Sequence, residues 1–364
     1  MKFLSPIAAF ALLTTTVVAQ TDDKSFLAQF EKTFEAGGNV PVGDFIPEAQ
    51  MKGRLHNVRP LASNDGLNNT YFVDSPAGVL EVTAIDVGQG DSLLVVSPQG
   101  KTLLIDAGGP VGGQQSEFDF GENVVSPYLW ERRISHLDVV VLSHAHSDHI
   151  GGIHTVLKNF RPREFWVGAL PETASVRALL SYATSLGIRV VRHSDGDSIE
   201  FGGMQVRVFS PPLEWQTSSQ PRNNDSLVMR LQYKDSSVLL EGDAERVVEQ
   251  RMVAQGESSG DDPTSRKTRD VTHPAEIANL LKSDLLKVGH HGSATSSSWE
   301  FIHAVQPRWA IISVGRGNSF GHPRLETLQR LEQEGAATYR TDLNGAVSFY
   351  LDGHTVSPQL ACLR

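Results

Sequence analysis

Six consecutive residues, His144-Ala145-His146-Ser147-Asp148-His149, restrict this chain to folds that set a metal-seeking loop at the end of a buried strand. They follow the apolar run Leu137-Asp138-Val139-Val140-Val141-Leu142-Ser143 and precede Ile150-Gly151-Gly152 and a short amphipathic segment. A run this apolar predicts a strand covered on both faces. Imidazole nitrogens and carboxylate oxygens are the ligands that zinc and its first-row neighbours prefer. The plainer reading is a polar loop with three chance histidines. Only 13 of the 364 residues are histidine, however, so this spacing beside an aspartate points to a purpose. Such a loop surrounds one point, or two points a few ångströms apart.

The chain opens Met1-Lys2-Phe3-Leu4, stays apolar to Leu13, and reaches Thr14-Thr15-Thr16-Val17-Val18-Ala19-Gln20. One positive charge, a short apolar core and small residues before a cut after Ala19 describe a secretory signal peptide over residues 1–19, the alternative being a buried N-terminal helix. The mature protein is therefore expected to be secreted. No stretch approaches ~18 continuous apolar residues, so no membrane anchoring is expected after signal removal. The single cysteine, Cys362, rules out an intrachain disulfide and a multi-cysteine zinc site. It reads as a buried passenger, with a bond to another chain as the alternative. A net charge of −10 argues against a broad basic surface for non-specific nucleic-acid binding. A small anionic substrate stays open, because bound metal ions add positive charge locally. Asn68-Asn69-Thr70 and Asn224-Asp225-Ser226 are sequons for a host that glycosylates. No obligate protein partner is evident.

Residues 20–77 read as a leader, helical over 21–36 and loop over 57–77, where Asn, Pro and Gly gather. Residues 78–364 read as one domain. A first group of strands is predicted at 79–87, 92–97, 101–105, 137–142, 165–167 and 189–192, with helices at 122–132 and 174–186. A second group is predicted at 205–209, 226–233, 237–241, 284–288, 309–314, 337–340 and 347–351, with helices at 244–254, near 298–304 and at 325–334. Residues 255–274 are almost free of apolar side chains and read as a disordered surface insertion. Two groups of strands with helices interspersed predict two sheets packed face to face with helices outside.

Four further groups fall after predicted strands. Asp106 follows Leu103-Leu104-Ile105 and opens Ala107-Gly108-Gly109, and Asp243 follows Leu239-Leu240-Glu241-Gly242. His290 and His291 follow Leu285-Leu286-Lys287-Val288-Gly289, and His322 lies in Gly321-His322-Pro323. Singly, the aspartates have a plainer reading as turn formers, and His322 as a helix start. Their joint placement after strands, together with the histidine loop, predicts one metal-binding face.

The set resembles the metallo-β-lactamase superfamily of metallohydrolases, marked by an early Asp after a strand, a His-x-His-x-Asp-His loop, a later bridging Asp and a later His. Within it the nearer likeness is to the soluble C-terminal hydrolase domain of the DNA-uptake protein ComEC. That likeness is carried by Ala84-Ile85-Asp86-Val87-Gly88-Gln89-Gly90-Asp91-Ser92, Lys287-Val288-Gly289-His290-His291-Gly292-Ser293, Ile311-Ile312-Ser313-Val314-Gly315 and Thr341-Asp342-Leu343-Asn344-Gly345-Ala346-Val347. It covers residues 79–352, without the membrane-channel parts.

The resemblance implies an α/β sandwich of αββα type, two facing mixed sheets with helices outside. It implies two divalent metal ions, zinc first and manganese second, one held by His144 and His146 and the other by Asp148, His149 and His291. Asp243 bridges them. His291 is preferred to His290 as ligand, which leaves His290 to contact an anion. Asp106 orients a ligand or the nucleophile, Asp148 passes a proton to the leaving group, and His322 joins the catalytic set. Asp86 and Asp91 read as turn or supporting residues, and His154 and His193 as structural. Two departures stand out. The ComEC-like group often has Asp where this chain has His146. Like that group, the chain also lacks the superfamily's intermediate His, and carries Arg222-Asn223-Asn224-Asp225-Ser226 there. Asn223 or Asn224 is expected in its place.

These readings predict a secreted metal-dependent hydrolase. A phosphodiesterase comes first, because two metals sharing a hydroxide stabilise charge that builds on phosphoryl oxygens. Nucleic acid is a candidate substrate by family analogy alone. A lactonase or other acyl hydrolase is the alternative, and a non-catalytic binding protein on the same scaffold a remote one.

Overall fold

Side chains along a strand alternate sides, and here both sides are covered. In the computed structural model, Leu103, Ile105, Val139 and Val141 face a core shared between two sheets, whereas Leu104, Val140 and Leu142 face a second core roofed by helices. The structure describes residues 58–60, 71–73, 77–111, 117–258 and 280–360. The expected signal peptide, the helix over 21–36, the sequon at Asn68, Cys362 and residues 259–274 of the expected insertion lie outside the described residues.

The chain divides into two units, Met1–Pro76 with Cys362–Arg364 and Ala77–Ala361. In the first, β1 (Val58–Pro60) pairs antiparallel with β2 (Tyr71–Val73), where a loop was expected. Strands of three residues are too short to show an alternating pattern against their Asn- and Gly-rich surroundings.

The second unit holds both large sheets. One runs in the order β17-β16-β3-β4-β5-β6-β7-β8. Its strands are β3 (Leu80–Ala84), β4 (Leu93–Val96), β5 (Thr102–Ile105), β6 (Val139–Leu142), β7 (Glu164–Val167), β8 (Arg189–Arg192), β16 (Val347–Leu351) and β17 (Val356–Leu360). The other runs β15-β14-β13-β12-β11-β10-β9. It comprises β9 (Ser198–Phe201), β10 (Met204–Ser210), β11 (Val228–Tyr233), β12 (Ser236–Leu240), β13 (Leu285–Lys287), β14 (Trp309–Ile312) and β15 (Ala337–Arg340). Each sheet is antiparallel on one side and parallel on the other, the change falling at β5 in the first and β12 in the second.

Helices close both outer faces. Over the first sheet lie α1 (Ser126–Glu131), α3 (Ile153–Phe160) and α4 (Ala174–Ser185), with the short α2 (Ser147–Ile150) at the strand ends. Val156, Leu157 and Phe160 of α3 pack with Phe165 of β7 and Leu179 of α4. Over the second sheet, Val248 and Met252 of α5 (Arg246–Ser258), Phe301 and Ile302 of α6 (Trp299–Val305) and Leu331 of α7 (Leu325–Glu334) cover Leu239, Leu286 and Ile312. The expected αββα layering is what the structure has. Helix α5 continues to Ser258, so residues 255–258 belong to a helix rather than to the insertion expected there.

Phe165 is fully buried in the outer core of the first sheet. Phe165→Ala is expected to destabilise the fold by about 3–5 kcal/mol, read from the denaturant midpoint at unchanged m-value.

Candidate metal centre

The site lies where parallel strands end. The chain leaves β5 at Asp106, β6 at Ser143-His144, β12 at Gly242-Asp243 and β13 just before His290-His291. After His144 and His146, α2 presents Asp148 in its first turn and His149 in its last. Glycines let neighbouring backbone close around this loop. A Cβ on Gly90 would lie 2.3 Å from the Asp148 carbonyl oxygen, and one on Gly109 only 1.8 Å from that of Ser147.

Hydrogen bonds fix the protons of four imidazoles. The Ser143 hydroxyl donates to Asp106 Oδ2 at 2.6 Å, so its 3.1 Å contact with His144 Nδ1 requires the ring N–H to donate. His144 Nε2 is then left with a lone pair. His146 Nε2 lies 3.1 Å from the Pro221 carbonyl oxygen and must donate to it, which in the neutral ring leaves Nδ1 bare. The two bare nitrogens are 3.0 Å apart. His149 Nδ1 donates to Asp106 Oδ2 at 2.8 Å, and His291 Nδ1 to the Ser313 carbonyl at 2.9 Å. Their Nε2 atoms converge on Asp243 Oδ2 at 3.2 Å and 3.4 Å. His291 Nε2 is also 3.4 Å from Asp148 Oδ2, and His144 Nε2 is 3.9 Å from Asp243 Oδ2.

Lone pairs and carboxylates crowded in this way repel unless positive charge stands among them. Burial pushes His144 well below the ordinary imidazole value, so the His144 ring is itself a poor carrier of that charge. At His149 burial works against protonation, yet the Asp243 and Asp106 carboxylates outweigh it and raise the ring well above its usual value. His291 is likewise raised against burial, by Asp243 and Asp148. Burial alone would raise Asp243 and Asp148, but the facing histidines hold both well below the usual carboxylate range. His149 Nε2, His291 Nε2 and Asp243 Oδ1 are buried without a hydrogen-bond partner. A divalent ion meets all of these demands with neutral imidazoles. Among the described residues, ligand atoms gather within 4.8 Å as His144–His149–Asp243 and as Asp148–His149–His291, so the donor set fits metal.

Asp106 sits behind the ligands, fully buried. Its carboxylate takes the Ser143 amide at 2.8 Å, the Ser143 hydroxyl and His149. Asp86 accepts the Gly88 amide at 3.1 Å, as a turn residue does. His154 stacks on Tyr182, and His193 pairs with Asp197, both apart from the cluster.

Asp91 does more than support a turn. It forms a buried ion pair with Lys287, its Oδ2 lies 3.9 Å from His149 Nδ1, and its Oδ1 lies 3.7 Å from His291 Nδ1. A lysine inside the apolar run of β13 was the available signal for this pair. His290 is turned outward, 3.3 Å from Glu245 Oε1, and its hydrogen bond, helped by those of Thr295 and Asn223, holds the Glu245 carboxyl down at about 2. His322 packs 5.6 Å from the His290 ring, centroid to centroid. Burial first, then the His290 and His291 charges, lower it to about 4, so it is neutral at neutral pH.

The missing imidazole is not replaced in the way the sequence led us to expect. Asn224 Oδ1 accepts the Glu245 amide at 2.9 Å, and Asn223 Nδ2 faces Glu245 at 3.2 Å and His290 at 3.3 Å. The segment sends the Pro221 carbonyl towards His146 instead. Among the described residues, His146 meets the cluster at His144, 3.0 Å away, and stands outside the groups of ligand atoms that lie within 4.8 Å of one another. A position built on His144, His146 and Asp243 is therefore expected to hold metal less tightly than one built on Asp148, His149, His291 and Asp243. His146→Ala is expected to remove a weaker class of bound metal and leave a tighter class in place, measured by metal content after graded chelation. Loss of both classes together, or of neither, would reject this division.

A sequence model described as the metallo-beta-lactamase superfamily matches residues 85–316. The chain is 33% identical over 279 residues to ComE operon protein 3 of Bacillus subtilis, covering 74% of this chain and 33% of that protein. It is 30% identical over 275 residues to Recombination protein 2 of Haemophilus influenzae, covering 75% of this chain and 29% of that protein. It is 28% identical over 284 residues to Competence protein ComA of Neisseria gonorrhoeae, covering 78% and 34%. The chain therefore spans about a third of the length of these relatives. Among solved structures it is similar to the metallo-beta-lactamase fold protein YhfI of Bacillus subtilis, with 12% identity, a TM-score of 0.43 and coverage of 71% of this chain and 95% of that one.

Proposed function

The chain belongs to the metallo-β-lactamase superfamily, and from that premise we propose that it is a metal-dependent phosphodiesterase that holds two divalent ions, zinc or manganese. The observation that carries this reading is the pair of bare nitrogens of His144 and His146, 3.0 Å apart beside the carboxylate that His149 and His291 also face. His144, His146 and Asp243 hold one ion, and Asp148, His149, His291 and Asp243 hold the other. Bound ions supply Lewis-acid polarisation and a water of lowered pKa.

The chain's own residues do the rest. Asp106 and the Ser313 carbonyl keep the rings of His149 and His291 turned inward. Asp148, ionised and partly open to solvent, points Oδ2 at His291, and its other oxygen takes a proton and returns it to the leaving oxygen. His290 and neutral His322 line the outer side, where they donate hydrogen bonds to substrate oxygens. Relatives named for competence and recombination direct the substrate reading to nucleic acid. The net charge of −10 favours short or single-stranded pieces over tight duplex binding. The N-terminal sequence supports export as the setting for this activity. Among the described residues, no helix is long and apolar enough to cross a membrane.

The test is a panel of bis(p-nitrophenyl) phosphate, single-stranded DNA, a lactone and a cephalosporin, run on protein of known metal content. Turnover of the two phosphodiesters alone is expected. Turnover of the lactone alone would replace this reading with an acyl hydrolase. A metal-loaded protein inert to the whole panel would favour the binding-protein reading.

A further inference from the structure

Glutamates that touch no metal-binding group converge on the segment between β13 and α6, which carries His290 and His291. Both histidines adopt left-handed backbone, with φ of 45° and 53°, and so does Ser297 at the far end, with φ of 53°. Side-chain-bearing residues keep that conformation only where their surroundings impose it. At the near end, Glu241 Oε2 accepts the Gly289 amide at 2.7 Å. At the far end, Glu249 of α5 accepts the Ser297 amide on one oxygen and the Ser298 amide, at 2.9 Å, on the other. Between them the Ser296 hydroxyl closes on the Gly289 carbonyl at 2.7 Å. Both glutamates are fully buried. Burying carboxyl groups is costly, and these two serve backbone amides of this one segment.

We propose that Glu241 and Glu249 are positioning residues that bracket the segment and so aim the His291 imidazole at Asp148 and Asp243. The proposal rests on the metal-centre reading given above. The two brackets differ in a way that chemistry can expose. Glu241 uses one oxygen, and its Oε1 has no partner. A carboxamide there keeps the acceptor and leaves its amide nitrogen at the unused position. Glu249 uses both oxygens, so a carboxamide sets an N–H group against a backbone N–H.

The experiment compares Glu249→Gln, Glu241→Gln and Glu241→Ala in the full chain by competitive chelator titration with zinc and by amide exchange of the metal-free protein. Glu249→Gln and Glu241→Ala are expected to weaken the class held by His291 by about tenfold or more, as loss of an outer partner does, with Glu241→Gln within about twofold of wild type. The class held by His144 and His146 keeps its affinity, and exchange at residues 289–298 quickens in the two damaging variants. If Glu249→Gln does not fold, Glu249→Asp, which keeps both acceptors on a shorter arm, is read in the same way. Wild-type zinc affinity in Glu249→Gln, whatever its melting temperature, would overturn the proposal, as would equal damage from the two carboxamides. A wild type that binds no zinc would defeat the metal-centre reading instead, and exchange in the metal-free protein would still decide the bracket.

Discussion

Asp243→Ala is expected to release both classes of metal and to lower turnover by roughly a thousandfold, since metal polarisation contributes several kcal/mol to the barrier and each ~1.4 kcal/mol is tenfold. The size of the effect comes from one oxygen. Asp243 Oδ2 lies 3.2 Å from His149 Nε2, 3.4 Å from His291 Nε2 and 3.9 Å from His144 Nε2, so both groups of ligands meet on it. The fold itself should survive, because the cores of both sheets are built from apolar side chains. Metal content, steady-state rates and a denaturation curve on one preparation check the three parts. A variant that keeps one tight equivalent of metal would show that Asp243 serves a single ion.

Exhaustive chelation is expected to abolish hydrolysis in the wild type, and zinc or manganese to restore it. Removal should also lower stability. A ligand that binds only the folded state adds about 4 kcal/mol when present at about 1,000 times its Kd, so the melting temperature should fall on chelation and recover on reloading. Hydrolysis that persists in protein shown to be metal-free would reject the mechanism.

Much of the fold and of the candidate site was legible because the apolar strands and the chemistry-bearing loops alternate along the chain. The run ending at Leu142 announced β6, and His144 to His149 announced a ligand-bearing loop at its end. Asp106, Asp243 and His291 each come straight after an apolar strand. The sequence was less informative where structure depends on distant partners. Strand β17 contains Pro358, which reads as a breaker but is tolerated on an edge strand. Strand β9 is four residues long and half polar, too short for its alternation to stand out. Glu249 looked like one more polar residue of a surface helix, since its partners Ser297 and Ser298 are far along the chain. The carboxamides of Asn223 and Asn224 misled for the same reason, because proximity in sequence to the expected histidine position said nothing of Glu245.

The ligands are divided between layers. The strand ends of the larger sheet carry the candidate ligands His144, His146, Asp148 and His149, whereas those of the smaller carry Asp243 and His291. Bound ions would therefore act as rivets, and shearing one sheet over the other would have to break coordination before the apolar interior could slide. Under mechanical load applied between the two sheets, the metal-loaded protein should yield at a higher force than the chelated one. Peeling β17 or β9 from its outer edge should take the same force in both.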